Sequence, residues 1–201
     1  MKNISKLSMV ALLLFTSNLF LSETATAQSE KKRITFQIER TIEAPAADIW
    51  QVIGEDFGLI SKSHPLVVRS EYTEGALKGA LGTERLCYFK ENGSQMLREK
   101  IVAWKPEQME FDAAIREAKK FPVDTDVTLF TMRVTPLTSN QSKLEMIMNY
   151  RTKPAFMGGM LKGSFTKRLE DYLLAVEHYV LTGEAVTVDN FKEIKKSYTS
   201  R

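Results

Sequence analysis

The sequence predicts an α+β domain in which a curved, antiparallel, seven-stranded sheet wraps around one long C-terminal helix. Three observations predict it. Apolar and polar residues alternate over seven short stretches between residues 34 and 152, the period of a half-buried strand. Short, turn-forming segments join the last six stretches, so neighbouring strands pair as antiparallel hairpins. Residues 154–182 then carry apolar residues three and four apart, a stripe that must be buried against the sheet.

Residues 1–27 have the pattern of a cleavable signal peptide. Lys2 and Lys6 precede an apolar stretch over residues 9–21, and Ala25 and Ala27 supply small residues for cleavage before Gln28. The apolar stretch is shorter than the roughly 20 residues that a spanning helix needs, which disfavours an uncleaved anchor. We therefore expect export, to the periplasm or the medium. No later segment is apolar enough to span a membrane, and residues 28–33 are expected to be disordered.

The domain is predicted over residues 34–182. Its first strand ends at Ala44-Pro45, and two short helices follow over residues 46–55 and 57–61. Asn92-Gly93 marks a hairpin between the third and fourth strands, and residues 136–141 form the turn of the last hairpin. Gly183 is a natural end for the long helix. Residues 183–201 form a C-terminal tail in which residues 189–198 can make a short helix.

Charge and cysteine content exclude several functions. The net charge of +3 is weak for a nucleic-acid binder, so no nucleic-acid partner is predicted. Cys87 is the sole cysteine, so the domain has no internal disulfide, and its position in a strand predicts a buried, inert thiol. Two histidines and one cysteine lack metal-ligand spacing, and no glycine-rich phosphate loop is present. We predict no metal and no cofactor, and the sequence does not indicate the oligomeric state.

Several short motifs resemble the START-like (SRPBCC) superfamily, in particular its bacterial polyketide cyclase/dehydrase-type branch. Residues 42–50 resemble the superfamily's first strand running into its first helix. The remaining matches are Asp56-Phe57-Gly58 followed by His64-Pro65, Gly82-Thr83-Glu84-Arg85, the strand glutamate Glu99, and Phe121-Pro122-Val123. The likeness covers residues 34–181. It implies a helix-grip fold with an apolar ligand held between sheet and helix. A minority of members catalyse cyclisation or dehydration.

Two positions depart from this branch. Ser63 stands where a tryptophan is expected before His64, and Asp126 stands where an aromatic residue is common. Both changes can reshape a pocket, so the ligand preference of the branch is not carried over to this chain.

Methionines gather on the last strand and at the start of the long helix, where a flexible, polarisable side chain suits an irregular apolar ligand. Ordinary core packing is the alternative. Gly158, Gly159 and Gly163 lie in the same helix start, where each costs about 1 kcal/mol relative to alanine. Close approach to the sheet or a widened cavity mouth would explain them. The predicted ligand-binding residues are Phe36, Trp50, Phe57, His64, Phe89, Glu99, Phe111, Met146, Met148, Met157, Met160 and Leu161.

Three polar residues are candidates for chemistry. Glu99 and Arg85 share strand faces with apolar residues, so they form either a buried ion pair or reach water at strand ends. His64 has the intrinsic pKa of a general acid or base, and a loop histidine bonded to the backbone is the alternative. The predicted catalytic candidates are therefore His64, Glu99 and Arg85, without a decision on whether catalysis occurs.

Three functions remain open at this level. The first is an exported carrier or sensor for an apolar small molecule. The second is a cyclase or dehydratase that uses His64 with Glu99 or Arg85. The third is a protein-interaction module with a collapsed cavity. The volume of the cavity separates the third function from the other two.

Overall fold

The computed structural model describes residues 32–75 and 78–199. The predicted signal peptide of residues 1–27 lies outside the described residues, as does most of the segment 28–33 that is predicted to be disordered. The described part confirms the predicted α+β helix-grip architecture. One antiparallel sheet of seven strands curves around a long C-terminal helix, and two short helical segments follow the first strand.

The sheet has the strand order β1-β7-β6-β5-β4-β3-β2, so all strands except the first lie beside their neighbours in sequence. The first strand crosses over to pair with the last, with Ile34 opposite Tyr150. The strands are β1 (Ile34–Ile42), β2 (Arg69–Tyr72), β3 (Glu84–Tyr88), β4 (Met96–Lys105), β5 (Glu110–Lys119), β6 (Leu129–Thr138) and β7 (Gln141–Tyr150).

Three α-helices accompany the sheet in the described part of the chain. Helix α1 (Ala46–Trp50) continues into a π-helical turn (Gln51–Glu55) and a 3₁₀ segment (Phe57–Lys62). The long helix α2 (Met157–Thr182) ends at Gly183, whose φ of 72° is a left-handed conformation that glycine adopts without strain. The C-terminal tail carries a third helix, α3 (Phe191–Thr199), which packs on α2 through Ile194 and Phe191.

Two turns differ from the predicted ones. The last hairpin was expected to turn over residues 136–141, but β6 continues through Pro136 to Thr138. The register shifts between Pro136 and Thr138, and such an irregularity accommodates a proline that cannot donate to the ladder. In the β3–β4 hairpin, the amide of Phe89 donates to the carbonyl of Gln95, so the loop is longer than Asn92-Gly93 alone.

Helix α2 docks closely against the β1–β7 edge at its start. The hydroxyl of Tyr150 donates to the carbonyl of Gly158 over 2.6 Å. A Cβ on Gly158 would lie 2.8 Å from Cδ1 of Ile34, so close approach explains this glycine. A Cβ on Gly159 or Gly163 would meet nothing within 4 Å. Close packing therefore accounts for one of the three helix-start glycines.

In the part of the chain that the structure describes, no helix is both long enough and apolar enough to cross a membrane.

Candidate functional site

An apolar cavity of about 140 Å³ lies between α2 and the inner face of the sheet. Strands β4, β5 and β7 each contribute an inward-facing residue, because side chains on alternate positions of a strand share one face. Helix α2 covers them with Phe165 and Leu169. The complete lining is Leu66, Phe89, Leu97, Ile115, Phe121, Val123, Met148, Phe165, Arg168 and Leu169.

A larger cleft of about 390 Å³ adjoins the cavity at the molecular surface. Leu66, Phe89, Phe121 and Arg168 line both spaces, so these four side chains lie at the boundary between them, which we call the mouth of the cavity. The C-terminal tail provides the far wall of the cleft. The residues that line only the cleft are Pro65, Lys90, Gln95, Asp171, Val188 and Phe191.

The loop that carries Phe121 is anchored by a buried carboxylate. Asp124 accepts from Nη1 of Arg151 and from Nζ of Lys153, each over 2.9 Å. Burial alone would raise the pKa of Asp124, but the hydrogen bonds from Lys153 and Arg151 outweigh it and lower the pKa to about 2. This loop holds the ring of Phe121 edge-on against Phe89, with ring centroids 4.9 Å apart. The ion pairs of Asp124 and the ring contact with Phe89 therefore position Phe121 at the cavity mouth.

A buried ion pair lies deeper in the domain. Nε of Arg85 donates to Oε2 of Glu99 over 2.6 Å, and the two side chains are 4% and 9% exposed. Of the two arrangements that the sequence left open, the structure has the buried pair. Nη1 of Arg85 also donates to the carbonyl of Phe57 over 2.7 Å, and the guanidinium lies 3.8 Å from the Phe57 ring centroid. Burial alone would lower the pKa of Arg85, but the charge of Glu99 outweighs it and raises the pKa.

Cys87 is buried beside this pair, as predicted from its strand position. Its thiol lies 3.7 Å from Oε2 of Glu99 and donates to it. Burial and the neighbouring carboxylate raise the pKa of Cys87, so the thiol stays protonated and unreactive.

His64 is buried with its ring between two aromatic side chains, 4.9 Å from Tyr172 and 6.0 Å from Phe89 between ring centroids. Its Nδ1 accepts a hydrogen bond from the amide of Leu66 over 3.0 Å. Burial, followed by the charge of Arg85, lowers the pKa of His64 to about 3. The imidazole is therefore neutral near pH 7, with its proton on Nε2. Since Nδ1 is occupied, His64 can donate from Nε2 but has no free basic nitrogen.

We expect the His64 ring to remain neutral as the pH falls from 8 to 5, with a titration midpoint of about 3. Burial disfavours the imidazolium in the folded state, whereas an unfolded chain protonates near pH 6.5. The stability that comes from a neutral His64 is therefore complete above about pH 6.5 and is lost as the pH falls towards 3. Long-range ¹H–¹⁵N NMR of the imidazole nitrogens measures both the tautomer and the midpoint. An imidazolium signal at pH 6 would contradict this assignment.

The structure brings together only part of the predicted ligand site. Phe89 and Met148 line the cavity. Met157 and Leu161 are half-buried beside the helix start, whereas Met160 is 79% exposed. Met160 lies one position before the inward stripe of α2, and successive helix residues are about 100° apart, so its side chain points to solvent. The predicted ligand residues that pack in the filled part of the core are Phe36, Trp50, Phe57, Phe111 and Met146.

The catalytic candidates lie behind the cavity. His64, Arg85 and Glu99 are buried, but none of them is among the lining residues. The His64 ring contacts Phe89 in a T-shaped arrangement, and Glu99 lies two residues after the lining residue Leu97 along β4. Among the described residues, no group of three or more histidine, cysteine, aspartate or glutamate side chains could hold a metal ion.

Sequence reasoning missed most of the lining. Leu97 and Ile115 carry the period-two signal of an inward strand face, and Phe165 and Leu169 carry the helical stripe, but these signals are the same for packed and cavity-lining residues. Arg168 is one of several charged residues of α2, and no sequence signal distinguishes it from the other helix charges.

An antiparallel sheet closed over a long C-terminal helix, with an apolar cavity between them, is the architecture of a START-like helix-grip protein. The sequence model of the family described as polyketide cyclase / dehydrase and lipid transport matches residues 33–177, and the chain belongs to this family. Its members share the helix-grip fold and bind apolar ligands, and some are cyclases. No functionally curated protein matches the chain.

Solved structures show the same fold. The crystal structure of Ara h 8.0201 is 22% identical, with a TM-score of 0.61 over 75% of this chain and 99% of that one. The Zhui aromatase/cyclase from Streptomyces sp. R1128 is 15% identical, with a TM-score of 0.61 over 74% and 94% of the two chains. Norcoclaurine synthase from Thalictrum flavum, solved with dopamine and hydroxybenzaldehyde, is 17% identical, with a TM-score of 0.54 over 77% and 90%.

Proposed function

We propose that the protein is an exported carrier or sensor that holds an apolar small molecule in the cavity between α2 and the sheet. The single observation that supports this most is the cavity itself, whose described lining is apolar apart from Arg168 and which adjoins a surface cleft at four shared side chains. Burial of apolar ligand surface in such a space is favourable at about 25 cal/mol per Å².

The volumes indicate what can enter. The cavity of 140 Å³ is close to the roughly 150 Å³ that accepts one benzene molecule in an engineered protein. Drug-sized pockets have roughly 300–1,000 Å³, a range that the cleft reaches with 390 Å³. A ring or a short chain segment fits inside, and the rest of a larger ligand occupies the cleft.

Binding is favoured over catalysis by the chemistry of the lining. Among the described residues that line the cavity, none carries a carboxylate, thiol, hydroxyl or imidazole. The buried Arg85–Glu99 pair and His64 are engaged with protein groups. A ligand in the cavity is therefore contacted by apolar side chains, and at the mouth by the guanidinium of Arg168.

Filling the cavity should abolish ligand uptake while the fold survives. Met148 lines the cavity on the inner face of β7, so Met148→Trp is expected to displace a neutral fluorescent probe such as phenylnaphthylamine. Overpacking should cost about 1–3 kcal/mol of stability, which circular dichroism melts will report. The matched control is Ile147→Trp, since Ile147 is the preceding β7 residue on the outer face. Its probe affinity should equal that of the wild type.

Probe titration of the three proteins decides between functions. If the wild type takes up no probe, the cavity is collapsed and a protein-interaction module replaces the carrier.

Export is tested by producing the full chain in a Gram-negative host and measuring the intact mass of the protein in each cell fraction. An intact mass that begins at Gln28 in the periplasmic fraction supports export, and a cytoplasmic chain that retains residues 1–27 contradicts it.

A further inference from the structure

Arg168 is a charged residue at the boundary between the cavity and the cleft. It lies on α2 one turn after Phe165 and beside Leu169, and its side chain lines both spaces. It is the only charged residue among the described lining of the cavity. A ligand that passes from the cleft into the cavity must therefore pass this guanidinium.

The charges around the cleft leave Arg168 without a protein partner. Asp171, which follows one turn later on α2, is engaged in an ion pair with Lys195 of α3. Within residues 32–75 and 78–199, neither Arg168 nor Lys90 across the cleft makes a side-chain hydrogen bond or ion pair. Both cations line the cleft, so its wall carries two positive charges that form no ion pair with a carboxylate of the described residues.

We infer that the ligand is a single-chain amphiphilic anion, with one segment of its apolar chain in the cavity, and with the rest of the chain and its anionic head in the cleft, where the head pairs with Arg168. This inference rests on the proposed function and names the chemical class of its ligand. The apolar interior excludes a charged group, because burial of an unpaired ion is strongly unfavourable. The anion must therefore lie at one end of the molecule, outside the cavity.

The guanidinium suits this role. Its planar donors match a carboxylate or a phosphate in a two-point contact, and such charge-assisted hydrogen bonds are stronger than neutral ones. Lys90 on the opposite wall adds a second positive charge without fixed geometry. Carboxylate and phosphate heads share this chemistry, and the arrangement accepts either.

The test compares one acyl chain that ends in a carboxylate with the same acyl chain as a neutral ester. Parinaric acid, a fluorescent fatty acid, and its methyl ester are titrated into the wild type, Arg168→Gln and Arg168→Lys. We expect the wild type to bind the acid at least about tenfold more tightly than the ester. Arg168→Gln should remove this preference by weakening only the acid, and Arg168→Lys should keep part of it. The matched control is Lys167→Gln, which deletes the same charge from the adjacent exposed position of α2 and should keep the full preference.

Each outcome bears on the inference. Equal wild-type affinity for acid and ester overturns it while the proposed carrier function stands. Loss of both ligands in Arg168→Gln also overturns it, since the side chain then acts through packing. An equal effect of Lys167→Gln overturns it by showing general charge attraction. If neither probe binds the wild type, the proposed function fails as well. Competition by dodecanoate and by dodecyl phosphate identifies the head group, and failure of both to displace parinaric acid overturns the inference.

Discussion

Replacement of Glu99 by leucine should lower the free energy of unfolding by about 3–5 kcal/mol, because it leaves the guanidinium of Arg85 buried without a counter-charge. Arg85 is among the most enclosed charged residues in the described chain, and its one carboxylate contact is with Glu99 at 2.6 Å. Urea unfolding followed by circular dichroism measures the loss. The double variant Arg85→Leu with Glu99→Leu should recover part of it, since no charge is then left unpaired.

An exposed pair of the same length provides the control. Nη1 of Arg69 lies 2.6 Å from Oε2 of Glu71 on β2, but each side chain is 45% exposed. Water screens this pair, so Glu71→Leu should change the stability by less than about 1 kcal/mol. Similar losses for Glu99→Leu and Glu71→Leu would show that burial does not set the strength of the inner pair.

Truncation of Leu173 to alanine should destabilise the domain by about 2–5 kcal/mol through lost burial and the cavity left behind. Leu173 is fully buried on the inward stripe of α2 and belongs to the central core. Chemical denaturation again measures the change. Leu181→Ala on the same helix is the matched control, because Leu181 is 40% exposed and its truncation should cost less than about 0.5 kcal/mol. A loss below about 1 kcal/mol for Leu173→Ala would mean that this half of α2 does not depend on its contacts with the sheet.

The two halves of the inward stripe of α2 differ in a way that the sequence does not show. Phe165, Leu169, Leu173 and Val176 share one helical pattern and all were expected to be buried against the sheet. Leu173 and Val176 are fully buried, whereas Phe165 and Leu169 are half-buried and face the cavity. Periodicity reports which side of a helix faces inward. It does not report whether the side chains opposite are large enough to fill the space.

The fold was predicted correctly, whereas only Phe89 and Met148 of the predicted ligand residues line the cavity. Strand alternation and the terminating Gly183 are local signals, and they predicted the architecture. The Arg85–Glu99 pairing depends on register instead. A two-residue loop at Asn92-Gly93 would place Arg85 opposite Lys100, but the longer loop shifts the register by one residue and places it opposite Glu99. Loop length, not composition, decided whether those charges meet.

The pairing of β1 with β7 means that β1 cannot take its place in the sheet before β7 has been synthesised. Strands β2 to β7 each find a partner next to them in sequence, so the loops that close when they pair are short. Strand β1 instead joins Ile34 to Tyr150 across almost the whole domain and therefore carries the largest loop-closure entropy of any strand in the sheet. Its partner is the last strand to leave a ribosome or a translocation channel. The strand that directly follows the predicted leader is thus the one whose place in the sheet depends on the rest of the sheet being present.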